Sequence, residues 1–216
     1  MRSFPPSQRA TIRRSGRADY DLAAIYRILD EGLVAHVAFA GAQGPVVIPA
    51  TYARDGDRLY VHGGVRSRML TTLAAGAECC VAVTLLDGLV LARSAFHHSM
   101  NYRSVVIFGK ASPVVDREEK ARALARFVEH VVPGRAAEVR APSPAELDAT
   151  LVVSLPLDES SAKIRSGPPV DGETDYALPV WCGVVPFAAS AGEPVPDERN
   201  LANLELPKYL QPYRRP

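Results

Sequence analysis

Apolar residues along the chain occur mostly in short runs separated by turns, a pattern typical of antiparallel β-strands. Ahead of these runs, residues 19–32 place Leu22, Ile25 and Leu29 on one helical face between an aspartate and Gly32, which predicts a helix. The strand-like runs are residues 33–40, 45–53, 59–62, 78–88, 89–96, 102–115 and 150–157. Asp55-Gly56 predicts a hairpin turn between two of the runs, and so does Asp87-Gly88.

Two further helices interrupt the strands. Residues 67–77 bring Met69, Leu70 and Leu73 to one face, and residues 116–132 show the clearest helical period. Most strands are separated only by turns, whereas a doubly wound parallel sheet needs a helix after nearly every strand. The pattern therefore predicts a mainly β protein, a small antiparallel barrel with flanking helices.

The ends of the chain differ from its middle. Residues 1–18 contain Pro5-Pro6 and scattered arginines, which indicates an extended N-terminal arm. Residues 188–216 are rich in proline and charge and have no apolar period, which indicates an extended C-terminal tail. We therefore expect one folded domain over residues 19–187.

Composition narrows the range of partners. The 216 residues are 47% hydrophobic and 23% charged with a formal net charge of +1, which is typical of a globular protein. A net charge this small gives no field to attract nucleic acid or an anionic membrane. No run approaches the roughly 20 apolar residues that span a bilayer. The basic N-terminus lacks the apolar core of a secretory signal, so we expect a cytoplasmic protein.

Several classes of enzyme lack their motifs. The sequence contains no GxGxxG, no P-loop, no HExxH and no GxSxG. Its three cysteines form no CxxC pair, and adjacent His97 and His98 would point to opposite faces of a strand, so we expect no metal site. His36 and His130 are interpreted as structural.

Polar residues instead stand at the ends of strands. "YVHGGVRSRML" (60–70) ends a strand on His62 and opens a helix with Ser67 and Arg68, a combination suited to a phosphate group. Other such stretches are "NYRS" (101–104), "SAKIR" (161–165) and "VWCGVVP" (180–186). None supplies a nucleophile with its own base, which favours a protein that positions a cofactor.

Five pieces in one order carry a family resemblance: "ILDEGLVAHVAF", "VIPATYARDGDRLYVHGG", "NYRSVVIFGKA", "SAKIRSGPP" and "VWCGVVP". In this order the chain resembles the FMN-binding split-barrel superfamily of pyridoxamine 5'-phosphate oxidase-like proteins. It is most similar to the general flavin-nucleotide-binding and nitroimidazole-reductase-like subgroup. The resemblance implies a split β-barrel, usually a homodimer, with FMN held between the subunits.

The resemblance also implies roles for individual residues. Pro49, Ala50 and Thr51 would lie along the flavin ring. His62 and Gly63 would approach the flavin and its ribityl chain, and His62 is the candidate for a catalytic proton donor. The remaining implied cofactor contacts are Ser67 and Arg68 at the phosphate, Tyr102, Arg103 and Ser104 on a barrel strand, and Lys163 and Trp181 closing the site.

The first functional hypothesis is an FMN-dependent oxidoreductase that passes electrons from a nicotinamide or similar donor to a small acceptor. Vitamin B6 oxidase activity is not expected, because the Arg and Lys that frame "VVIPATY" in true oxidases, and their Arg-x-His pair after Trp181, are missing. Two alternatives stay open. One is a flavin carrier or sensor without turnover, and the other is a haem-binding split barrel with His97, His98 or His62 as axial ligand.

Overall fold

The described part of the chain contains ten strands and four α-helices. The computed structural model describes residues 6–201, 204–211 and 213. The strands are β1 (Ala18–Asp19), β2 (Val34–Gly41), β3 (Gly44–Asp55), β4 (Arg58–Gly64), β5 (Glu78–Leu91), β6 (Ser99–Lys110), β7 (Ser112–Pro113), β8 (Thr150–Pro156), β9 (Ser160–Arg165) and β10 (Gly183–Pro186). The helices are α1 (Leu22–Glu31), α2 (Arg68–Ala74), α3 (Arg117–Val131) and α4 (Pro144–Ala149). Short 3-10 helices cover Ser15–Arg17, Ala95–His97, Arg135–Ala137, Glu173–Ala177 and Lys208–Leu210.

All strands pair antiparallel in one sheet, in the order β1-β9-β6-β5-β2-β3-β4-β8-β7. Strand β5 is the centre of the sheet. It pairs with β6 along most of its length, with β2 near its start and with β10 near its end. The backbone amide of Phe108 in β6 donates to the carbonyl of Glu159 just before β9. The predicted antiparallel barrel with flanking helices is confirmed, and it has the architecture of a split barrel.

The main core fills the barrel. Helix α1 begins after Asp21, whose side chain accepts a hydrogen bond from the Ala23 amide and so caps the helix. Its apolar face is buried, as the period predicted. That face meets the inward-pointing side chains of the strands, which alternate with outward ones along each strand. The fully buried members of this core include Ile25, Leu29, Val37, Tyr52, Leu59, Leu70, Val83 and Ile107.

A smaller core lies on the other face of β4 and β8, under helix α3. Ala53, Tyr60 and Val152 point away from the barrel interior and pack against Ala123 and Phe127 of α3. Since side chains two positions apart in a strand share a face, His62 lies on the same side of β4 as Tyr60. The pleat therefore turns His62 toward α3 and away from the barrel.

The two predicted hairpins have different outcomes. Asp55-Gly56 does form a turn, because β3 ends at Asp55, β4 begins at Arg58 and these two residues pair. The second prediction was wrong: β5 continues through Asp87-Gly88, and the only disturbance there is a shift in its register with β6. Strand β10 pairs antiparallel with β5 from Leu91 back to Gly88, and an added Cβ on Gly88 would lie 2.6 Å from the Val185 carbonyl oxygen. This glycine therefore allows a close approach of two strands.

Both ends of the chain contact the barrel. In the N-terminal arm, Arg9 binds Glu159 through Nε at 2.8 Å, and β1 pairs with β9. At the other end, the Phe187 amide donates to the Asp87 carbonyl immediately after β10. The predicted boundaries at residues 18 and 187 stay predictions. No helix in the described part of the chain is long and apolar enough to cross a membrane.

The contact between Gly88 and β10 gives a stability prediction. Gly88→Ala should lower the free energy of unfolding by about 1–3 kcal/mol, because the new methyl group must displace the β10 backbone. Gly64→Ala in β4 is the matched control, since an added Cβ there meets no atom within 4 Å. Its effect should stay below about 1 kcal/mol. Equal denaturation midpoints for the two variants would contradict this packing.

Candidate functional site

The outer face of the sheet, on the side of β2, β3, β5, β6 and β9 opposite the main core, carries much of the predicted site. Antiparallel partners share a face, so the register decides which residues meet. Ser104 pairs with Lys163 on one side and with Thr84 on the other. His36 pairs with both Pro49 and Ala82. The register therefore places residues from five strands on one surface.

Two more of the predicted residues share this outer face, and two do not, because Arg103 lies opposite Leu85 and Ile164, which pack against the main core. Thr51 lies opposite Val34, and Tyr102 lies opposite Leu86. Ala50, between Pro49 and Thr51, points the other way and packs against the main core. The exposed apolar side chains of Val34 and Leu86 show that part of this surface is apolar.

A cleft of about 1020 Å³ lies where residues 187–191 pass the outer face; we call it the outer cleft. Its polar lining includes His36, Thr84 and Arg103, and its apolar lining includes Val34 and Leu86. Pro49 and Ser104 pair with His36 and Thr84 of this lining and so lie on the same face in the neighbouring strands. A planar ligand could lie here with apolar contacts and with hydrogen bonds along one edge.

Arg103 already has two partners at the rim of the outer cleft. Its Nη2 lies 2.8 Å from Oε1 of Glu31 and 2.7 Å from Oδ1 of Asp87. These hydrogen bonds raise the pKa of Arg103, with Glu31 the largest contributor and Asp87 next. The Arg103 guanidinium lies between these two carboxylates and holds the end of α1 against β5. Its role in the structure is therefore to form an ion-pair network.

The neighbouring residues are less constrained. Oγ of Ser104 donates to the Lys163 carbonyl at 3.2 Å, and the Lys163 ammonium lies 6.0 Å from the centre of the Tyr102 ring. Trp181 is 69% exposed. The described residues thus leave the Lys163 ammonium and the Trp181 ring available to a ligand.

The start of α2 has the local structure expected from its sequence. Ser67 is the N-cap residue, and its Oγ accepts a hydrogen bond from the Leu70 amide. Arg68 is the first residue of the helix and is exposed. Gly63 lies against the main core, since an added Cβ would be 3.0 Å from Cδ1 of Leu70. The Arg68 side chain makes no hydrogen bond or ion pair within the described ranges.

His62 lines a second cleft, of about 580 Å³, which we call the α3 cleft. The α3 cleft shares none of its lining with the outer cleft. Most of its lining is apolar: Ala121, Leu124, Ala125, Phe127, Val128, Ala136, Val139, Ala141 and Pro142, with Arg140, Glu146 and Thr150 as polar members. The sequence pattern did not predict this cleft, because its walls come from α3 and from the loop after it, whose position depends on tertiary packing.

The His62 imidazole is half-buried beside an aromatic ring. Its centre lies 4.1 Å from that of Phe127, with the two rings inclined at 60°. Nδ1 is buried and has no hydrogen-bond partner among the residues that the structure describes. Desolvation by burial lowers the pKa of His62 below its ordinary value of 6.5, which favours the neutral imidazole. A neutral, unpartnered imidazole in an apolar cleft is a potential metal ligand.

The adjacent histidines lie elsewhere. Nδ1 of His97 is 2.7 Å from Oγ of Ser94 and 3.8 Å from Oδ1 of Asp171, and Nδ1 of His98 is 2.9 Å from the Ser94 carbonyl. Burial would raise the pKa of Asp171, but hydrogen bonds from the Arg93 and Ser94 amides outweigh it and lower that pKa. His97 and Asp171 also form a cluster with Asp175, their ligand atoms all within 4.8 Å of one another. The Arg93 guanidinium, 3.3 Å from Asp171, already neutralises this carboxylate.

A model of the pyridoxamine 5'-phosphate oxidase family matches residues 21–164, about two thirds of the chain. The chain belongs to the pyridoxamine 5'-phosphate oxidase family. The match runs from the cap of α1 into β9, so it contains strands β2 to β8 and most of β9, and it leaves out β1 and β10. Among curated proteins, no sequence matches the chain.

Solved structures of other members share the fold. The flavocytochrome Anf3 from Azotobacter vinelandii is 39% identical with a TM-score of 0.90, and the alignment covers 97% of this chain and 99% of that one. The FAD and haem binding protein from Mycobacterium smegmatis is 36% identical with a TM-score of 0.86, covering 90% and 96%. A proposed 5-nitroimidazole antibiotic resistance protein from Bacteroides thetaiotaomicron is 24% identical with a TM-score of 0.58, covering 68% and 86%. At 24% identity, the similarity to the Bacteroides thetaiotaomicron protein shows a shared fold and nothing more.

The buried state of His62 predicts how stability depends on pH. The pKa of His62 is lower in the folded state, so below about pH 6.5 the unfolded state binds more protons and folding stability falls. His62→Gln cannot titrate and should lack this contribution. The free energy of unfolding of the ligand-free wild type, minus that of the variant, should therefore decrease between about pH 7.5 and pH 5. Urea denaturation across this range measures it, and a difference that rises toward acid pH would contradict the burial of a neutral imidazole.

Proposed function

We propose that this member of the pyridoxamine 5'-phosphate oxidase family is a redox protein that binds both a flavin and a haem. Two relatives more than one-third identical over nearly the whole chain are a flavocytochrome and a protein that binds FAD and haem. The observation that carries the proposal is that His62, whose buried Nδ1 has no hydrogen-bond partner among the described residues, lines the largely apolar α3 cleft. With two clefts of separate lining, the chain has room for two cofactors.

The α3 cleft fits a haem better than a flavin. Haem is a large, mostly apolar macrocycle that needs an axial ligand, and neutral histidine is the commonest one in oxygen-binding and electron-transfer proteins. His62 offers that ligand, and Phe127 and Val128 offer apolar contacts. Arg140 in the lining has the charge to meet a propionate, although its guanidinium now binds Glu146 at 2.7 Å. His97 and His98, the alternative ligands, lie outside the lining of this cleft.

The outer face fits a flavin. The isoalloxazine ring needs an apolar surface with donors along its polar edge, and Pro49, Thr51 and Ser104 lie together on such a surface. Lys163 and Arg68 offer positive charge for a phosphate. FMN, as the family resemblance implies, and FAD, as in the Mycobacterium smegmatis relative, share the ring and the first phosphate.

We also propose that two copies of the chain pack outer face to outer face. Val34, Val47 and Leu86 are exposed on this surface, with Val47 at 60%, and an apolar patch of this kind favours association. A second copy would cover the outer cleft and exclude water from a flavin held there. We further propose that the protein is cytoplasmic, as expected from its sequence.

In this proposal the α3 cleft holds the haem and the outer face holds the flavin. A bound flavin exchanges two electrons and a haem exchanges one, so together they let the protein pass electrons from a nicotinamide-type donor to a small acceptor. His62, kept neutral by burial, has its lone pair free for iron. Lys163 and Ser104 orient and charge-balance the outer-face ligand, and the apolar walls of both clefts keep water away. In this proposal His62 acts as an iron ligand, and the proton-donor role predicted from the sequence stays an untested alternative.

Titration with haemin tests the assignment of His62. The wild type should bind haemin with a sharp, red-shifted Soret band, and His62→Ala should bind at least about tenfold more weakly, a cost of about 1.4 kcal/mol, with a spectrum lacking the nitrogen ligand. His97→Ala and His98→Ala are the controls and should behave as the wild type does. If His62→Ala keeps the wild-type Soret spectrum and one of the two controls loses the band, His62 is not the axial ligand. The ligand is then the histidine whose substitution removes the band.

Titration with FMN and FAD tests the phosphate contact. Arg68→Ala should weaken flavin binding about 10- to 100-fold, because a charge-assisted hydrogen bond contributes about 1.5–3 kcal/mol. Arg122→Ala is the matched control, an exposed helical arginine 3.9 Å from Glu118. Quenching of flavin fluorescence gives the affinities. Full retention of flavin by Arg68→Ala would refute this phosphate contact, and bleaching by a reduced nicotinamide would separate an oxidoreductase from a flavin carrier.

A further inference from the structure

The C-terminal segment beyond the last strand makes specific contacts with the loop after α3. We call residues 207–211 together with Tyr213 the C-terminal clamp. The Tyr209 hydroxyl donates to Oε2 of Glu138 at 2.5 Å and accepts from Nη1 of Arg135 at 3.2 Å. Arg135 and Glu138 also bind each other, at 3.1 Å. The three polar groups close a ring of hydrogen bonds that connects the clamp to the loop.

The aromatic ring of Tyr209 adds a packing contact to this hydrogen-bond ring. Gly134 has a left-handed backbone with φ of 90°, and an added Cβ would lie 3.4 Å from Cδ1 of Tyr209. The glycine therefore both makes the turn after α3 and leaves room for the tyrosine ring. Tyr209 fixes the loop at its turn and again at Glu138.

The loop held in this way is a wall of the α3 cleft. Ala136, between the two residues that bind Tyr209, lines the cleft, and so do Val139 and Arg140 immediately after Glu138. Because clamp contacts and cleft-lining residues alternate along a single loop, moving the loop off Tyr209 would move this wall. The width of the α3 cleft thus depends on a contact made from the C-terminal end of the chain.

Tyr213, the last residue of the C-terminal clamp, connects the end of α3 to the outer cleft. The Tyr213 hydroxyl donates to the carbonyl of Val131, the last residue of α3. Tyr213 also lines the outer cleft beside Gly32 and Leu33. One turn before Val131, Val128 of the same helix lines the α3 cleft. Tyr213 therefore ties the rim of one cleft to the helix that forms the floor of the other.

We propose that the C-terminal clamp is a retention device that holds one wall of the α3 cleft and one side of the outer cleft in place, and whose release loosens both together. The clamp contacts are suited to reversible opening, because Arg135 and Glu138 are roughly half exposed and exposed ion pairs are weak. Releasing Tyr209 frees the wall of the α3 cleft, and releasing Tyr213 removes one side of the outer cleft. The identity of the retained ligands rests on the proposed function, but the clamp does not.

Hydrogen exchange on the full-length, ligand-free protein tests the clamp directly. In Tyr209→Ala, amides of residues 134–142 should exchange at least about tenfold faster than in the wild type, while those of β5 keep their rates. Tyr209→Phe keeps the ring on Gly134 but loses the hydroxyl, so its rates should fall between the two. Leu204→Ala, an exposed position in the same segment, is the matched control and should exchange as the wild type does.

Unchanged exchange of residues 134–142 in Tyr209→Ala would overturn the clamp. If Tyr209→Ala also exchanges faster throughout β5, its effect is not local, and Tyr209→Phe is then the deciding variant because it removes only a surface hydroxyl. Faster exchange of Tyr209→Phe confined to residues 134–142 supports the clamp. Wild-type exchange rates in Tyr209→Phe overturn it.

Dissociation of haemin from loaded protein into excess apomyoglobin then tests retention. Tyr209→Ala and Tyr213→Phe should each release haemin several-fold faster than the wild type and Leu204→Ala. Faster loop exchange with unchanged haemin release would overturn the retention role. Faster loop exchange in a protein whose wild type takes up no haemin would support the clamp and refute the proposed ligand.

Discussion

The alternation of side chains along strand β4 is the constraint on which the rest of the structure depends. Leu59 and Val61 point into the barrel, so Tyr60 and His62 must point the other way, toward α3. A shift of one residue in the register of β4 would bury the imidazole in the main core and expose its apolar neighbours. The pairing of β4 with both β3 and β8 prevents that shift.

The same alternation creates the outer face. Once β2, β3, β5, β6 and β9 give their alternate apolar residues to the barrel, the remaining positions form a continuous surface. Its middle, around His36 and Thr84, lies on central strands, while the terminal segment after β10 crosses one side. The barrel is therefore a scaffold with a cleft on each of two sides, and α3 and the C-terminal clamp lie between these clefts.

The fold class was predictable from the sequence, and the way the candidate site residues group in space was not. Alternation and turn chemistry predicted the barrel, its helices and the hairpin at Asp55-Gly56. The turn predicted at Asp87-Gly88 was wrong, because a glycine that permits the close approach of a paired strand has the same local signature as a hairpin. His62 was singled out as a candidate site residue and does line a cleft, but its neighbours in the α3 cleft are 59 or more positions away along the chain. His36 was interpreted as structural, yet it lines the outer cleft.

Local chemistry in the sequence by itself determined the elements, their caps and the face that each strand buries, because these depend on neighbours within a few residues. It also carried the family pattern from α1 to β9. Tertiary structure alone decided that His62 lies beside Phe127 instead of on the outer face, and that Arg103 is held by Glu31 and Asp87. It likewise decided that Tyr209 reaches the loop after α3. Each of these contacts joins residues far apart in sequence, and only the packing of strands and helices sets their distance.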